Sequence, residues 1–392
     1  MGDCRFKILY VTQYAGYMGA NRSLLQLIIG LQKRYDIKVA VLLPEYGEFT
    51  DLLQHEKINF YVVKTYPSVY AKEKNKNIIR SFRCLIYEII NILILWRVST
   101  RLRKEHFDCI HTNTSVTNVG SYLGCFLKIP HIWHVREFAK QHYRLGFSLG
   151  YSGQFRLMNI LSDKIIVISR ALYDYYSHYV NPKKLTIIYN GIEVTSVFRT
   201  KDHSTTMINI VVVGLLHPSK NQNFILKAIN KVINEYGRKN IHLHIVGGYD
   251  QNNLSYSNSL LQYVKDNKLN EYVTFHGYIE NIRDMLCTMD IGILASSYEA
   301  FGRVTVEYMM YGLVPIVSNS GANMEIVENT KTGLVFNIDD ISSLADGLVE
   351  LVDSLELRRQ LSQNAMNYAR KNFTSEIYQN RIIELYRNII IK

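Results

Sequence analysis

Two glutamates with seven residues between them, Glu299 and Glu307, flank a glycine-bearing turn in the stretch I-G-I-L-A-S-S-Y-E-A-F-G-R-V-T-V-E-Y-M-M-Y-G-L-V-P-I-V-S-N-S at 291–320. The apolar run 291–295 has the composition of a buried strand, and 296–302 is a polar turn. From Arg303 the apolar spacing becomes helical through Val304, Val306, Met309 and Met310, until Gly312 stops it. Glu299 thus falls in the loop past a strand's carboxyl end, and Glu307 about one turn into the next helix. The helix start offers unbonded N–H groups and a positive dipole end, and Gly302 lets backbone approach a phosphate closely. Carboxylates repel phosphate, so both glutamates suit hydroxyl groups instead. A solvated glutamate pair on an ordinary strand–helix unit has the same spacing. E-x-F-G between strand and helix, followed by G-x-x-P-I-V, sets this stretch apart.

A ligand with a diphosphate at its centre and polyols at both ends, a nucleotide sugar, meets all of these demands. The segments E-A-F-G-R-V-T-V-E, Y-M-M-Y-G-L-V-P-I-V-S, G-A-N-M-E-I-V and T-G-L-V-F follow one another over about forty residues. Together they resemble the signature of the retaining glycosyltransferases of family 4, the glycosyl transferases group 1. The resemblance implies an α/β protein of the GT-B type, two Rossmann-like domains with a cleft between them. It implies that Glu299 contacts the transferred sugar as a catalytic residue and that Glu307 binds the ribose of the donor. Phe301, Gly302 and Arg303 match the segment whose backbone amides meet the sugar and diphosphate.

The elements that must position these residues fit a chain of 392 residues, too long for one ordinary domain and comfortable for two. Its 47% hydrophobic and 20% charged content describe a globular protein with a core. The five cysteines are scattered, without C-x-x-C or zinc spacing, which fits a reducing cytoplasm. The start, M-G-D-C-R-F-K, enters a strand directly and has no signal-peptide pattern. Residues 1–200 hold 27 Lys+Arg against 14 Asp+Glu, whereas 201–392 hold 18 against 20, so the net +11 sits in the first half. That half is suited to an anionic partner.

The strand at 6–11 leads into T-Q-Y-A-G-Y-M-G-A-N-R-S and a helix, the start of a Rossmann-like domain without G-x-G-x-x-G. The family has a Gly-Gly loop here; this chain has Met18-Gly19, which makes Gly19 the candidate for backbone contact with donor phosphate, or simply a helix-entry turn. Strands at 109–112 and 130–134 end in N-T-S and H-V-R-E-F, and the grouping of histidine, arginine and glutamate points to substrate contact. His134 matches the family histidine near the reacting centre, although the usual His-Asp pair is His134-Val135 here. On its own, His134 also reads as a hydrogen-bonded structural histidine.

Residues 72–104 carry an apolar centre at 85–96, interrupted by Glu88 and Asn91, bounded by basic residues and containing Trp96. The centre is shorter than the ~20 residues of a membrane span. It reads equally as an amphipathic helix on an anionic membrane surface or as a Rossmann helix with snorkelling Lys and Arg.

Asn190-Gly191-Ile192-Glu193 resembles the family's Asn-Gly-Ile-Asp at the end of the first domain, and 195–206 reads as the linker. The domains expected are 1–195, with a C-terminal helix at about 375–392 returning to it, and 207–374. The first is assigned to the acceptor and the second to the nucleotide sugar. In the second, Lys220 matches a family lysine that neutralises the diphosphate, while Leu215 replaces an arginine. Arg303 is a candidate substitute. There is no Asp-x-Asp, so no metal site and no cofactor beyond the donor substrate is expected.

The reading is therefore a retaining, metal-independent glycosyltransferase. It takes a UDP- or GDP-sugar and a glycan or polyprenyl-phosphate-linked acceptor in surface polysaccharide assembly, at the cytoplasmic face of the plasma membrane. A GT-B epimerase or hydrolase of nucleotide sugars and a non-catalytic nucleotide-sugar-binding module are the rivals. Nucleic acid is disfavoured because no basic–aromatic interleaving or recognition motif is present.

Overall fold

Short runs rich in Val, Ile and Leu make up two parallel sheets, and such runs form strands because both faces of a parallel sheet are covered. The computed structural model describes residues 6–72, 77–138, 145–193, 206–251 and 253–391. The linker expected over 195–206 lies outside them except for Thr206, as do residues 73–76 of the basic–apolar stretch.

The chain divides into two units, Met1–Glu193 with Ser375–Lys392, and Val194–Thr374. In chain order the strands of the first are Phe6–Val11 (β1), Ile37–Leu43 (β2), Asn59–Val62 (β3), Val69–Ala71 (β4), Cys109–Thr112 (β5), His131–Val135 (β6), Leu145–Phe147 (β7), Lys164–Val167 (β8) and Leu185–Ile187 (β9). Seven of them form a parallel sheet in the order β3-β2-β1-β5-β6-β8-β9, and β4 pairs antiparallel with β7. The second unit has Ile208–Val213 (β10), Ile241–Val246 (β11), Val273–Gly277 (β12), Ile291–Leu294 (β13), Val314–Ser318 (β14) and Leu334–Phe336 (β15). Their order is β12-β11-β10-β13-β14-β15. Each sheet reverses its direction of growth beside its first strand, at β1/β5 and β10/β13. Crevices at such reversals, outside the carboxyl ends of the strands, are where open α/β sheets bind ligands.

Three helices of the first unit matter below: Gly19–Arg34 (α1), Glu48–His55 (α2) and Asn77–Leu102 (α3). The helix Ser375–Ile390 packs against α1 in the same unit. Gly191 lets the start of this helix lie close against the chain at 191, because a Cβ there would lie 2.6 Å from Ser375 Cα and 2.8 Å from Tyr378 Cβ.

Helix α3 is inside-out. Its buried positions are Cys84, Glu88, Asn91, Leu95, Ser99 and Leu102, half of them strongly polar. Its exposed face holds Ile79, Phe82, Ile86, Ile89, Leu93 and Trp96, at alternating spacings of three and four residues. Burial pushes the Glu88 carboxyl up from its ordinary range, and Asn118 donates to it at 2.8 Å. Asn91 bonds both the N–H and the C=O of Tyr66, at 2.8 and 2.9 Å.

Candidate functional site

In the second unit the sheet reversal gathers Lys220 and the residues of the 299–307 stretch singled out from sequence. Lys220 ends a 3-10 turn after β10, and Glu299 follows β13. The Lys220 ammonium donates to Ser296 Oγ at 3.2 Å and to the Glu299 carboxylate at 3.3 Å. The other carboxylate oxygen of Glu299 accepts the Gly302 N–H at 3.1 Å. Glu299 therefore sits as an internal anion on the ammonium and amide expected to meet a phosphate. Asn221 braces the turn, its Nδ2 donating to Ala295 O and Ser297 Oγ at 3.0 Å each.

Gly302 caps the helix Arg303–Met310 with φ +80°, a left-handed conformation that glycine adopts without steric cost. The loop behind it is held by Gly321, where a Cβ would stand 2.2 Å from the Glu299 carbonyl oxygen. One turn into the helix, Glu307 accepts from Arg303 Nε at 3.0 Å, and both side chains are only partly exposed. Arg303, the candidate substitute for an arginine at position 215, thus bonds the carboxylate assigned to ribose. Leu215 itself is 45% exposed. Phe301 points inward: its ring is buried and packs edge-on against Phe373 at 5.9 Å, so only its backbone is available to a ligand.

In the first unit His134 ends up fully buried on β6 within a chain of hydrogen bonds that sequence spacing did not show. Tyr10 and Tyr386 hydroxyls meet at 2.6 Å, Tyr386 reaches His111 Nδ1 at 2.6 Å, and His111 Nε2 reaches His134 Nδ1 at 3.0 Å. An Arg136 amino group, a donor only, also approaches His134 Nδ1 at 3.5 Å, which makes that nitrogen the acceptor. The proton of His134 then lies on Nε2, a buried atom without a hydrogen-bond partner among the described residues. Burial first, and the Arg136 charge second, hold both His111 and His134 well below the ordinary imidazole range, so both are neutral.

Arg136 and Glu137, grouped with His134 in the sequence reading as substrate contacts, have internal partners instead. Arg136 donates to Asn113 Oδ1 and Asn190 Oδ1 at 2.7 Å and to the Tyr378 hydroxyl at 3.1 Å. Glu137 accepts from Thr114 Oγ1, Ser115 N and Ser115 Oγ within 2.8 Å. Asn113 also donates to Ala20 O, tying this network to the start of α1. Gly19, first residue of α1, is exposed, and a Cβ there would meet nothing within 4 Å, so open space lies before the helix start. Among the described residues no three His, Cys, Asp or Glu side chains form a group able to hold a metal ion.

Comparison with known proteins agrees with the two-unit arrangement. Residues 17–196 match the model of Glycosyltransferase Family 4 and residues 196–368 that of Glycosyl transferases group 1. A UDP-Gal:alpha-D-GlcNAc-diphosphoundecaprenol alpha-1,3-galactosyltransferase of Escherichia coli is 24% identical, over 99% of this chain and 98% of that protein. An N-acetyl-alpha-D-glucosaminyl L-malate synthase of Bacillus anthracis is 23% identical, over 84% of this chain and 86% of that one. The Anabaena protein HepE, solved in complex with UDP, superimposes with a TM-score of 0.80 at 20% identity, covering 98% of this chain and 100% of its own.

Proposed function

The chain belongs to glycosyltransferase family 4, and on that premise we propose a retaining, metal-independent transfer of a sugar from a nucleoside-diphosphate sugar to a glycan or lipid-linked acceptor in surface polysaccharide assembly. The observation that carries it is the meeting of Lys220, Glu299 and the Gly302 amide at the β10/β13 reversal, with Glu307 one turn further on. The diphosphate takes Lys220 and the N–H groups at the start of the helix Arg303–Met310, where preorganised donors stabilise the charge that develops as the glycosidic bond breaks. Phosphate oxygens replace Glu299 on these groups, and the freed carboxylate turns to hydroxyls of the transferred sugar. Glu307 accepts from the ribose diol. In the first unit, His134 is neutral and its buried Nε2 proton serves a substrate oxygen only where the substrate displaces the atoms that cover it.

Uridine diphosphate has the support of the donor named for the E. coli relative and of the ligand bound to HepE, with guanosine diphosphate the alternative. Calorimetric titration with a panel of UDP- and GDP-sugars, with and without EDTA, tests this reading. Binding of one donor with the same affinity in EDTA is expected; binding of none, or binding lost in EDTA, overturns it.

No helix among the described residues is long and apolar enough to cross a membrane. The outward face of α3 supports peripheral attachment at the cytoplasmic side of the plasma membrane: Ile79, Phe82, Ile86, Ile89, Leu93 and Trp96 are exposed, with Arg83, Arg97 and Arg101 beside them for anionic headgroups. Co-flotation with phosphatidylglycerol vesicles, weakened in Phe82→Ser/Leu93→Ser, is the expected result. Self-association through this face without vesicle binding would refute it.

A further inference from the structure

One face of the second sheet carries side chains that the donor chemistry does not use. Strand β11 reads I-H-L-H-I-V, so alternate residues point to opposite faces: Ile241, Leu243 and Ile245 enter the core, and His242 and His244 turn the other way. Parallel strands are usually covered on both faces, yet here Asn209, His242, His244 and Thr274 are only half-buried and His276 is exposed. His276 stands on the edge strand β12 where the register shifts, since Ile245 pairs with Phe275 but Val246 with Gly277. A residue left unpaired at such a step has its side chain re-aimed. The His276 ring lies 5.2 Å from that of His244, and His242 lies 4.7 Å from His244 on its other side.

The hydrogen bonds assign the protons. His244 Nε2 meets Asn209 Oδ1 at 3.2 Å, an acceptor only, so Nε2 carries the proton and Nδ1 presents its lone pair. Asn209 is itself fixed, its N–H donating to Asp290 Oδ2 and its C=O accepting from Asp290 N, each at 2.8 Å. A ring nitrogen held as a donor to a carbonyl oxygen is the usual support of a metal-ligating histidine, because it fixes both tautomer and ring plane. Burial first, and the neighbouring histidines second, lower His244 to about 4, so its lone pair is free at neutral pH. His242 is occupied by Thr274 Oγ1 at 2.8 Å. The free nitrogen of His244 faces His276 Nε2 at 3.0 Å. A metal ion about 2.0–2.1 Å from both nitrogens would subtend about 95° between them. Tetrahedral zinc would need the nitrogens about 3.3 Å apart. The near-right angle is that of a tetragonal ion, and nitrogen ligands in that geometry select Ni²⁺ or Cu²⁺.

We propose that His244 and His276 form a cross-strand chelate for Ni²⁺ or Cu²⁺, with water at the remaining positions. Two protein ligands agree with the lack of any three-residue group among the described residues. The site lies on a sheet face, not in the loops that hold Lys220 and Glu299, so its metal takes no part in transfer and the proposal does not depend on the glycosyltransferase reading. The test is titration of the untagged full chain with NiCl₂, read by calorimetry and by thermal unfolding. One Ni²⁺ per chain is expected, with affinity roughly tenfold or more weaker in His276→Gln and in His244→Gln. The two ligands lie 32 positions apart and meet only in the folded sheet, so Ni²⁺ should raise the unfolding midpoint of the unmutated chain and leave that of His276→Gln in place. His276 is exposed, and a metal-free midpoint close to that of the unmutated chain shows that its variant folds. No bound Ni²⁺, equal affinity in His276→Gln, or a midpoint that Ni²⁺ does not raise would each reduce the pair to an ordinary imidazole–imidazole hydrogen bond and overturn the site.

Discussion

The two units solve the same task, placing chemistry at a sheet reversal, with opposite means. The second uses partly exposed charges on one short stretch: Glu299, Gly302, Arg303 and Glu307 lie within nine residues, and only Lys220 comes from elsewhere. The first uses buried neutral groups drawn from four elements, with His111 and Tyr386 275 positions apart. A charged ligand can displace partners in the open half without breaking the fold. In the buried half each group holds its neighbour's proton in place, so function and stability are bound together.

Acid should separate the two halves most strongly. Burial keeps His111 and His134 well below the ordinary range and brings His131 to about 4. Such a base stays neutral in the native chain while the unfolded chain takes up the proton. Stability is therefore full above pH ~6.5, the unfolded value, and declines as pH falls below it. At pH ~5.5 each of these neutral histidines costs on the order of 1 kcal/mol of stability. The second unit has His244 at about 4 and His242 lowered less, both only partly buried. Hydrogen exchange at pH 7.5 and 5.5 should show protection falling first in the first unit; earlier loss in the second would break the contrast.

His111→Phe comes next in size. It strips the Tyr386 hydroxyl of its acceptor and His134 Nδ1 of a donor, two buried groups costing about 1–3 kcal/mol each. A lower denaturation midpoint with UDP affinity unchanged is expected, and a matching loss of UDP affinity would show that the halves are not separable in this way. Smallest is Leu215→Arg. Adding a guanidinium at this 45%-exposed position should tighten UDP by only a few-fold, the scale of a solvent-screened ion pair of about 0.2–1 kcal/mol. No gain would mean that Lys220 and the backbone already meet the diphosphate.

The same contrast explains what the sequence made legible. The strands at 6–11, 37–43 and 314–318 coincide with apolar runs, since both faces of a parallel sheet are covered. The loop at 299–307 is readable because its geometry is local: a strand end, a glycine with positive φ and a helix start. Short edge strands such as β3 and β15 offer only four and three residues, too few for a periodic pattern to mark them as strands. His111 had a faint signal, a histidine near the end of a strand adjacent to that of His134. Tyr10 and Tyr386 had none, because an apolar-looking tyrosine on a strand or helix is indistinguishable from core until the fold brings it to a partner. Helix α3 was ambiguous for a different reason: its composition gives amphipathicity, but not which face turns inward.

The most direct test of the account is the division of labour between the two glutamates, measured as UDP affinity by calorimetry and as transfer rate in the same preparations. Glu307→Ala removes a charged acceptor from the ribose, and losing about 3 kcal/mol or more weakens UDP over a hundredfold. Glu299→Ala leaves UDP affinity within about threefold while transfer falls on the order of a hundredfold, because its role lies at the sugar. Equal losses of UDP affinity in the two variants would contradict the assignment and make the pair a single nucleotide-binding unit.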